Sequence, residues 1–119
     1  MKNKVDRDWI KIREEAFKLN PEANEFWRAL NFEEYKIAKT WYDSFGQNDP
    51  AHIFGKGAYL HMKYMIENII IIPRYCHSHI DQSRNPFTLQ YMSEEEKRLF
   101  WIKFIGIERY NFLEKESRK

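Results

Sequence analysis

All four histidines of this 119-residue chain fall between positions 52 and 79, and the remaining positions contain none. Histidine carries protons near neutral pH and is a common ligand of transition metals. A cluster of this kind therefore indicates proton transfer, metal binding or both. The residues between His52 and His79 are the place to look for a function.

Two of these histidines have spacings that chemistry can use. His77 and Asp81 are four residues apart in a predicted short helix, so their side chains lie on one face and could bind one divalent metal ion. His52 lies on an earlier predicted strand and could accept a proton. A base and a cation are what the hydrolysis of a phosphodiester requires, because water must be activated and negative charge must be stabilised.

The elements that must position these residues follow from hydrophobic spacing and capping signals. The first 46 residues predict three helices: one with its apolar face from Trp9 to Leu19, one starting at Pro21, and one opened by an Asn31–Glu34 capping box. The middle third predicts a strand at 51–54, a loop from Gly55 to about Glu67, a strand at 69–72 and a helix at 75–82.

The C-terminal third predicts one long helix. Ser93 and Glu96 form a capping box at its start, Gly106 is expected to kink it, and residues 114–119 are expected to fray. The four tryptophans lie on helical stripes and are predicted to be core residues, at positions 9, 27, 41 and 101. The expected fold class is α+β and mostly helical, a single domain of residues 1–119. It comprises a helical scaffold at 1–48, a two-stranded hairpin plus helix at 49–84, and a turn and C-terminal helix at 85–119.

The middle third resembles the HNH, or ββα-metal (His-Me finger), endonuclease motif of phage type. His52, Asn68 and His77 are separated by 16 and nine residues, with strand, loop, strand and helix between them. These intervals are similar to those of colicin-type and phage members. The segment from Glu67-Asn68 to Cys76-His77 also resembles, in register, a stretch of many phage members.

The resemblance implies a role for each residue of the motif. His52 would be the general base, Asn68 would brace the loop that carries it, and His77 with Asp81 would bind one divalent ion (Mg²⁺, Mn²⁺, Ni²⁺ or Zn²⁺). The partner would be DNA, double-stranded and read with low sequence specificity, cut by an endonuclease or nickase; a homodimer is left open. Between positions 50 and 86 the Lys and Arg residues outnumber the Asp and Glu residues by four to two, which suits phosphate contacts. The predicted DNA contacts are Lys56, Lys63, Arg74, Arg84 and His79.

Two departures from the family pattern support a second hypothesis. Many members have a metal-binding Asp or His immediately before the base, where this chain has Ala51. Asp49, two residues earlier, is a candidate to compensate for the missing ligand. The zinc-binding cysteines of phage members are also absent as a set, because Cys76 is the only cysteine and Pro73 stands at its partner's position. The alternative is an HNH-fold protein with weakened catalysis that binds DNA or a protein partner. A purely structural helical protein is a third reading.

Composition limits the setting in which the protein acts. The longest apolar run, Ile69–Ile72, is far shorter than the roughly 18 residues that a membrane span needs, and the N-terminus is charged rather than apolar. We therefore expect a cytoplasmic protein with no membrane partner. The resemblance to phage members implies a bacterial host cell and a phage-encoded protein. The formal net charge of +2 is compatible with a phosphate-bearing partner without requiring one.

Overall fold

A two-stranded antiparallel hairpin lies at the centre of the fold. The computed structural model describes residues 6–55 and 58–119. Strand β1 (Asn48–His52) pairs with β2 (Ile69–Pro73), so that Asn48 lies opposite Pro73 and His52 opposite Ile69. All five residues of β2 are buried, as expected of a β-branched apolar strand that is covered on both faces. The chain then enters helix α4 (Arg74–Asp81), which confirms the predicted order of strand, loop, strand and helix. The predicted bounds of the first strand are wrong, because β1 ends at His52 and the chain bends at residues 53–54.

Three helices precede the hairpin: α1 (Arg7–Leu19), α2 (Asn24–Arg28) and α3 (Phe32–Phe45). The capping box predicted at the start of α3 is present, with reciprocal bonds between Asn31 and Glu34. The predicted start of α2 at Pro21 is wrong. Asn20 Oδ1 accepts a hydrogen bond from the Asn24 N–H at 2.8 Å, and Ala23 has a left-handed φ of 55°, so a turn delays the helix to Asn24.

Two helices follow the hairpin motif: α5 (Glu94–Ile105) and α6 (Ile107–Ser117). The capping box of Ser93 and Glu96 opens α5 as predicted. The prediction of one helix with a kink is wrong, because Gly106 has a φ of 89° and separates two helices. Only glycine adopts such a φ without steric cost. Helix α6 extends to Ser117 and so includes most of the segment that is expected to fray.

The core surrounds β2 and is rich in aromatic rings. Phe26 of α2 stacks on Phe104 of α5 with ring centroids 5.3 Å apart, and Leu113 of α6 is fully buried. Trp101 is buried as predicted. Trp41 is 39% exposed, and its ring stacks on Tyr75 of α4 at 4.6 Å, so its prediction as a core residue is wrong.

The described part of the chain is therefore α+β, with six α-helices and one two-stranded antiparallel sheet. None of its helices has the length and apolar content needed to span a bilayer. The loop between the strands contains two short 3₁₀ turns, at Leu60–Met62 and Ile66–Asn68. These turns place Lys63 and Asn68 close to the end of β1.

Candidate active site

His52 is the last residue of β1 and is held from two sides. Its Nε2 lies 2.9 Å from the carbonyl oxygen of Lys63, and its ring stacks on Trp9 of α1 with centroids 5.0 Å apart. A carbonyl oxygen only accepts hydrogen bonds, so Nε2 must carry the proton that is donated to it. In the neutral imidazole Nδ1 then carries the lone pair, and Nδ1 is the atom that can accept a proton.

Asn68 locks the chain immediately after His52. Its side chain is fully buried, and its Oδ1 accepts a hydrogen bond from the backbone N–H of Phe54 at 2.8 Å. Its Nδ2 donates to the carbonyl oxygens of Phe54 at 3.0 Å and Met62 at 3.3 Å. The Ile53 N–H donates to the Asn68 carbonyl oxygen at 2.9 Å. Asn68 thus makes backbone hydrogen bonds to the residues that follow His52, as the bracing role requires; whether this matters for catalysis stays a prediction.

Asp6 joins the start of α1 to the same loop. One carboxylate oxygen caps α1 by accepting from the Trp9 N–H at 2.9 Å, and the carboxylate also binds Lys63 Nζ at 2.7 Å and the Tyr64 hydroxyl. The Lys63 ammonium, the Trp9 N–H and the Tyr64 hydroxyl together hold the pKa of the Asp6 carboxyl at about 2. Sequence reasoning did not find Asp6 or the stacking of Trp9. An Asp just before an apolar helix signals an N-cap, but nothing local signals a contact with Lys63.

His77 lies between two carboxylates on α4 and β1. Its Nδ1 is 3.3 Å from Asp49 Oδ2, and its Nε2 is 3.5 Å from Asp81 Oδ2. The proximity of His77 to Asp81 is the expected result of a four-residue spacing on a helix. The contact with Asp49 arises because β1 and α4 pack together.

Arg74 fixes Asp49 in place. Its Nε and Nη2 donate to the Asp49 carboxylate at 3.0 to 3.2 Å, a bidentate arrangement. Burial raises the pKa of the Asp49 carboxyl, but the hydrogen bonds from Arg74 and His77 lower it by more, so the pKa lies below its usual value. Asp49 is therefore a carboxylate near neutral pH.

Two donor atoms of this site could bind one divalent ion. His77 Nε2 and Asp81 Oδ2 face each other at 3.5 Å, a separation that two ligands of one ion can span when each bond is about 2.0–2.2 Å. An imidazole nitrogen with a carboxylate oxygen suits several divalent metals. No third His, Cys, Asp or Glu completes a metal-binding group within residues 6–55 and 58–119.

The residues that are predicted to contact DNA differ in the contacts that they make within the protein. Lys63 and Arg74 are paired with Asp6 and Asp49. Arg84 is exposed and donates to the Leu89 carbonyl oxygen at 3.2 Å. His79 packs edge-on against Tyr75 at 4.7 Å, and Lys56 lies outside the described residues.

The two histidines of the motif have separate partners. His52 contacts Lys63 and Trp9, whereas His77 contacts Asp49 and Asp81. Asp49 and His52 are three residues apart on β1, which corresponds to roughly 10 Å along a strand. Residues three apart on a strand also point to opposite faces. Among the described residues, the structure therefore does not bring His52 together with the His77–Asp81 pair.

Neither a family model, nor a curated protein, nor a solved structure matches this chain. The geometry of the site and the resemblance of the motif are therefore the basis for a proposed function.

Proposed function

We propose that the protein is a metal-dependent HNH endonuclease or nickase that hydrolyses phosphodiester bonds of DNA, with residues 49–84 as its ββα-metal motif. The observation that carries the proposal is the orientation of His52. Its Nε2–H donates to the Lys63 carbonyl oxygen, which favours the neutral tautomer whose lone pair is on Nδ1. A histidine that is fixed in one tautomer and followed by a braced loop is suited to act as a general base.

Each residue of the motif then has one task. His52 Nδ1 accepts the proton of the attacking water. Asn68 keeps the loop after β1 in one conformation through three backbone hydrogen bonds, and Trp9 limits the rotation of the imidazole by stacking. His77 and Asp81 would hold the divalent ion. When bound, that ion supplies positive charge opposite the phosphate and the leaving 3′ oxygen.

The DNA backbone would contact the basic side chains around the motif. Arg84 and Arg74 are both exposed, and Arg74 uses Nε and Nη2 for Asp49, so its Nη1 could donate to a phosphate. Such contacts neutralise phosphates irrespective of sequence. Low sequence specificity is consistent with the absence of any second DNA-reading unit in the described residues.

One observation favours the alternative of a DNA- or protein-binding HNH-fold protein with weakened catalysis. Ala51 stands at the position that many family members use for a metal ligand, and it is 2% exposed. Its methyl group offers no donor atom. Under this alternative the protein would bind DNA without cutting it.

A pair of histidine substitutions distinguishes the two functions. His52→Ala should reduce the cleavage rate of a labelled DNA duplex by at least about 10²-fold, the usual contribution of a general base. His61→Ala is the matched control, because His61 is exposed and its Nε2 contacts the Glu116 carbonyl oxygen instead. Equal cleavage by the parent and His52→Ala proteins would show that His52 is not the base.

A further inference from the structure

The His77 imidazole lies in a chain of four side chains, of which Asp49 is on β1 and the other three are on α4. Arg74 binds the Asp49 carboxylate at 3.0 Å, Asp49 Oδ2 meets His77 Nδ1 at 3.3 Å, and His77 Nε2 faces Asp81 at 3.5 Å. Only the second half of this chain, His77 and Asp81, was expected from the sequence. The first half, Arg74 and Asp49, was not expected. It places a bidentate ion pair next to His77, a predicted metal ligand.

We propose that Asp49 is a positioning residue, held by Arg74, which accepts the Nδ1–H of His77 and so directs the Nε2 lone pair toward Asp81 to bind a divalent ion. The inference rests on the proposed function. A ligating histidine usually donates its second ring N–H to a carboxylate or carbonyl, which fixes the tautomer and raises the basicity of the ligating nitrogen. Asp49 is the only carboxylate that lies on the Nδ1 side of His77 among the described residues.

The geometry argues against Asp49 as a direct ligand of the same ion. Nδ1 and Nε2 lie on different edges of the imidazole ring, so an ion between Nε2 and Asp81 is on the side away from Asp49. Both oxygens of Asp49 are also in use: Oδ1 accepts from Arg74, and Oδ2 accepts from Arg74 and His77. The Asp49 side chain is only 15% exposed, which limits its freedom to move.

This arrangement explains how the chain tolerates Ala51. Asp49 and Ala51 are two residues apart on β1 and therefore lie on the same face of the strand. The side chain at position 51 has no donor atom, but Asp49 provides a carboxylate two residues earlier. That carboxylate strengthens an existing ligand instead of adding a new one.

The tautomer of His77 is the first readout, and it requires neither metal nor DNA. In metal-free protein with a neutral His77 ring, ¹⁵N NMR should show this ring protonated at Nδ1. Asp49→Ala should shift the ring toward the Nε2–H form, because the Nδ1–H loses its acceptor. A His77 ring that is protonated at Nε2 in the parent protein would overturn the proposal, and so would an unchanged ring in Asp49→Ala.

Metal affinity is the second readout. Calorimetric titration with Ni²⁺ and Zn²⁺ should give dissociation constants about 10–100-fold weaker for Asp49→Ala, the usual effect of losing an outer-shell partner. Asp49→Asn keeps the shape of the side chain and should also weaken binding, which covers the case in which the alanine variant does not fold. Asp43→Asn removes the same charge from an exposed ion pair with Lys39 and should bind metal as the parent does.

The two proposals fail in different ways. A parent protein that binds none of these metals would overturn the metal centre of the proposed function and this inference together. Parent binding that both Asp49 variants match within about twofold would overturn only the role of Asp49. His52→Ala should bind metal with the parent affinity, because His52 contacts Lys63 and Trp9 and neither predicted metal ligand.

Discussion

Two residues of the loop between the strands determine how His52 is oriented, and both do so through hydrogen bonds that involve main-chain groups. Lys63 contributes its carbonyl oxygen, which accepts from Nε2, and Asn68 contributes an amide that bonds the backbone of Phe54 and Met62. The amide of Asn68 is buried and all of its hydrogen bonds go to main-chain groups. Its removal would leave buried polar groups without partners, which costs far more than the bonds themselves contribute.

We predict that Asn68→Ala lowers the free energy of unfolding by about 2–3 kcal/mol, because the Phe54 N–H and two carbonyl groups lose their partner. Cleavage should fall as well, since the loop after His52 is no longer fixed. Urea unfolding followed by circular dichroism measures the first effect. Asn111→Ala on the exposed surface of α6 is the matched control and should change stability by less than about 0.5 kcal/mol. A similar stability for both variants would contradict the bracing role.

At the scale of elements, α1 belongs to the site as much as the hairpin does. Its N-cap, Asp6, binds Lys63 in the loop, and its first turn places Trp9 on the His52 ring. Sequence predicted α1 as part of a helical scaffold. The structure shows that its first residues contact the predicted general base and the loop that orients it.

The Asp6 contact should appear as a pH dependence of stability. The folded-state pKa of about 2 lies below the usual value of 3.8, so the contact stabilises the fold above pH about 4 and loses this effect as the pH falls toward 2. Asp6→Asn keeps a capping side chain but removes the charge. It should be less stable than the parent near neutral pH, and the difference should disappear at pH about 2.

Urea unfolding at a series of pH values measures this difference. Lys63→Met should reduce the same dependence, because the Lys63 ammonium is the largest cause of the lowered pKa. A gap between the parent and Asp6→Asn that stays constant from pH 7 to about 2 would show that the carboxylate does not stabilise the folded state in this way.

The parts of this fold that follow from neighbouring residues could be predicted from sequence. The run from Ile69 to Ile72 gave a strand, and the two capping boxes gave the starts of α3 and α5, because those signals lie within a few positions. The pairing of His77 with Asp81 is local in the same sense. The contacts of Asp6 with Lys63 and of Asp49 with Arg74 join residues 57 and 25 positions apart, and they depend on how finished elements pack.

At the scale of the whole molecule, ion pairs change the net charge that is expected around the motif. Four basic residues outnumber two acidic ones between positions 50 and 86 of the sequence. In the structure Asp6 and Asp49, both from outside that window, bind Lys63 and Arg74. The local surplus of positive charge is therefore smaller than the sequence indicates, and Arg84 has no carboxylate partner among the described residues.

The difference between Arg84 and the paired Lys63 should appear in the salt dependence of DNA binding. Each phosphate contact contributes about 0.9 to the slope of log K against log salt concentration on duplex DNA. Arg84→Gln should reduce that slope by about 1, whereas Lys63→Gln should reduce it by less because Asp6 already neutralises the ammonium. Fluorescence anisotropy with a labelled duplex in EDTA measures both slopes. Lys39→Gln on α3 is the control, and an equal effect of all three variants would contradict the proposed DNA surface.

The most direct test of the central claim is the nicking of supercoiled plasmid by the parent and His52→Ala proteins. Mg²⁺, Mn²⁺, Ni²⁺ and Zn²⁺ are supplied in turn, EDTA is the blank, and circular dichroism shows that both proteins are folded. We predict nicking that requires a divalent metal and is lost in His52→Ala. No cleavage by folded parent protein with any of the four metals would contradict the nuclease and favour the binding protein, with Ala51 as the physical reason.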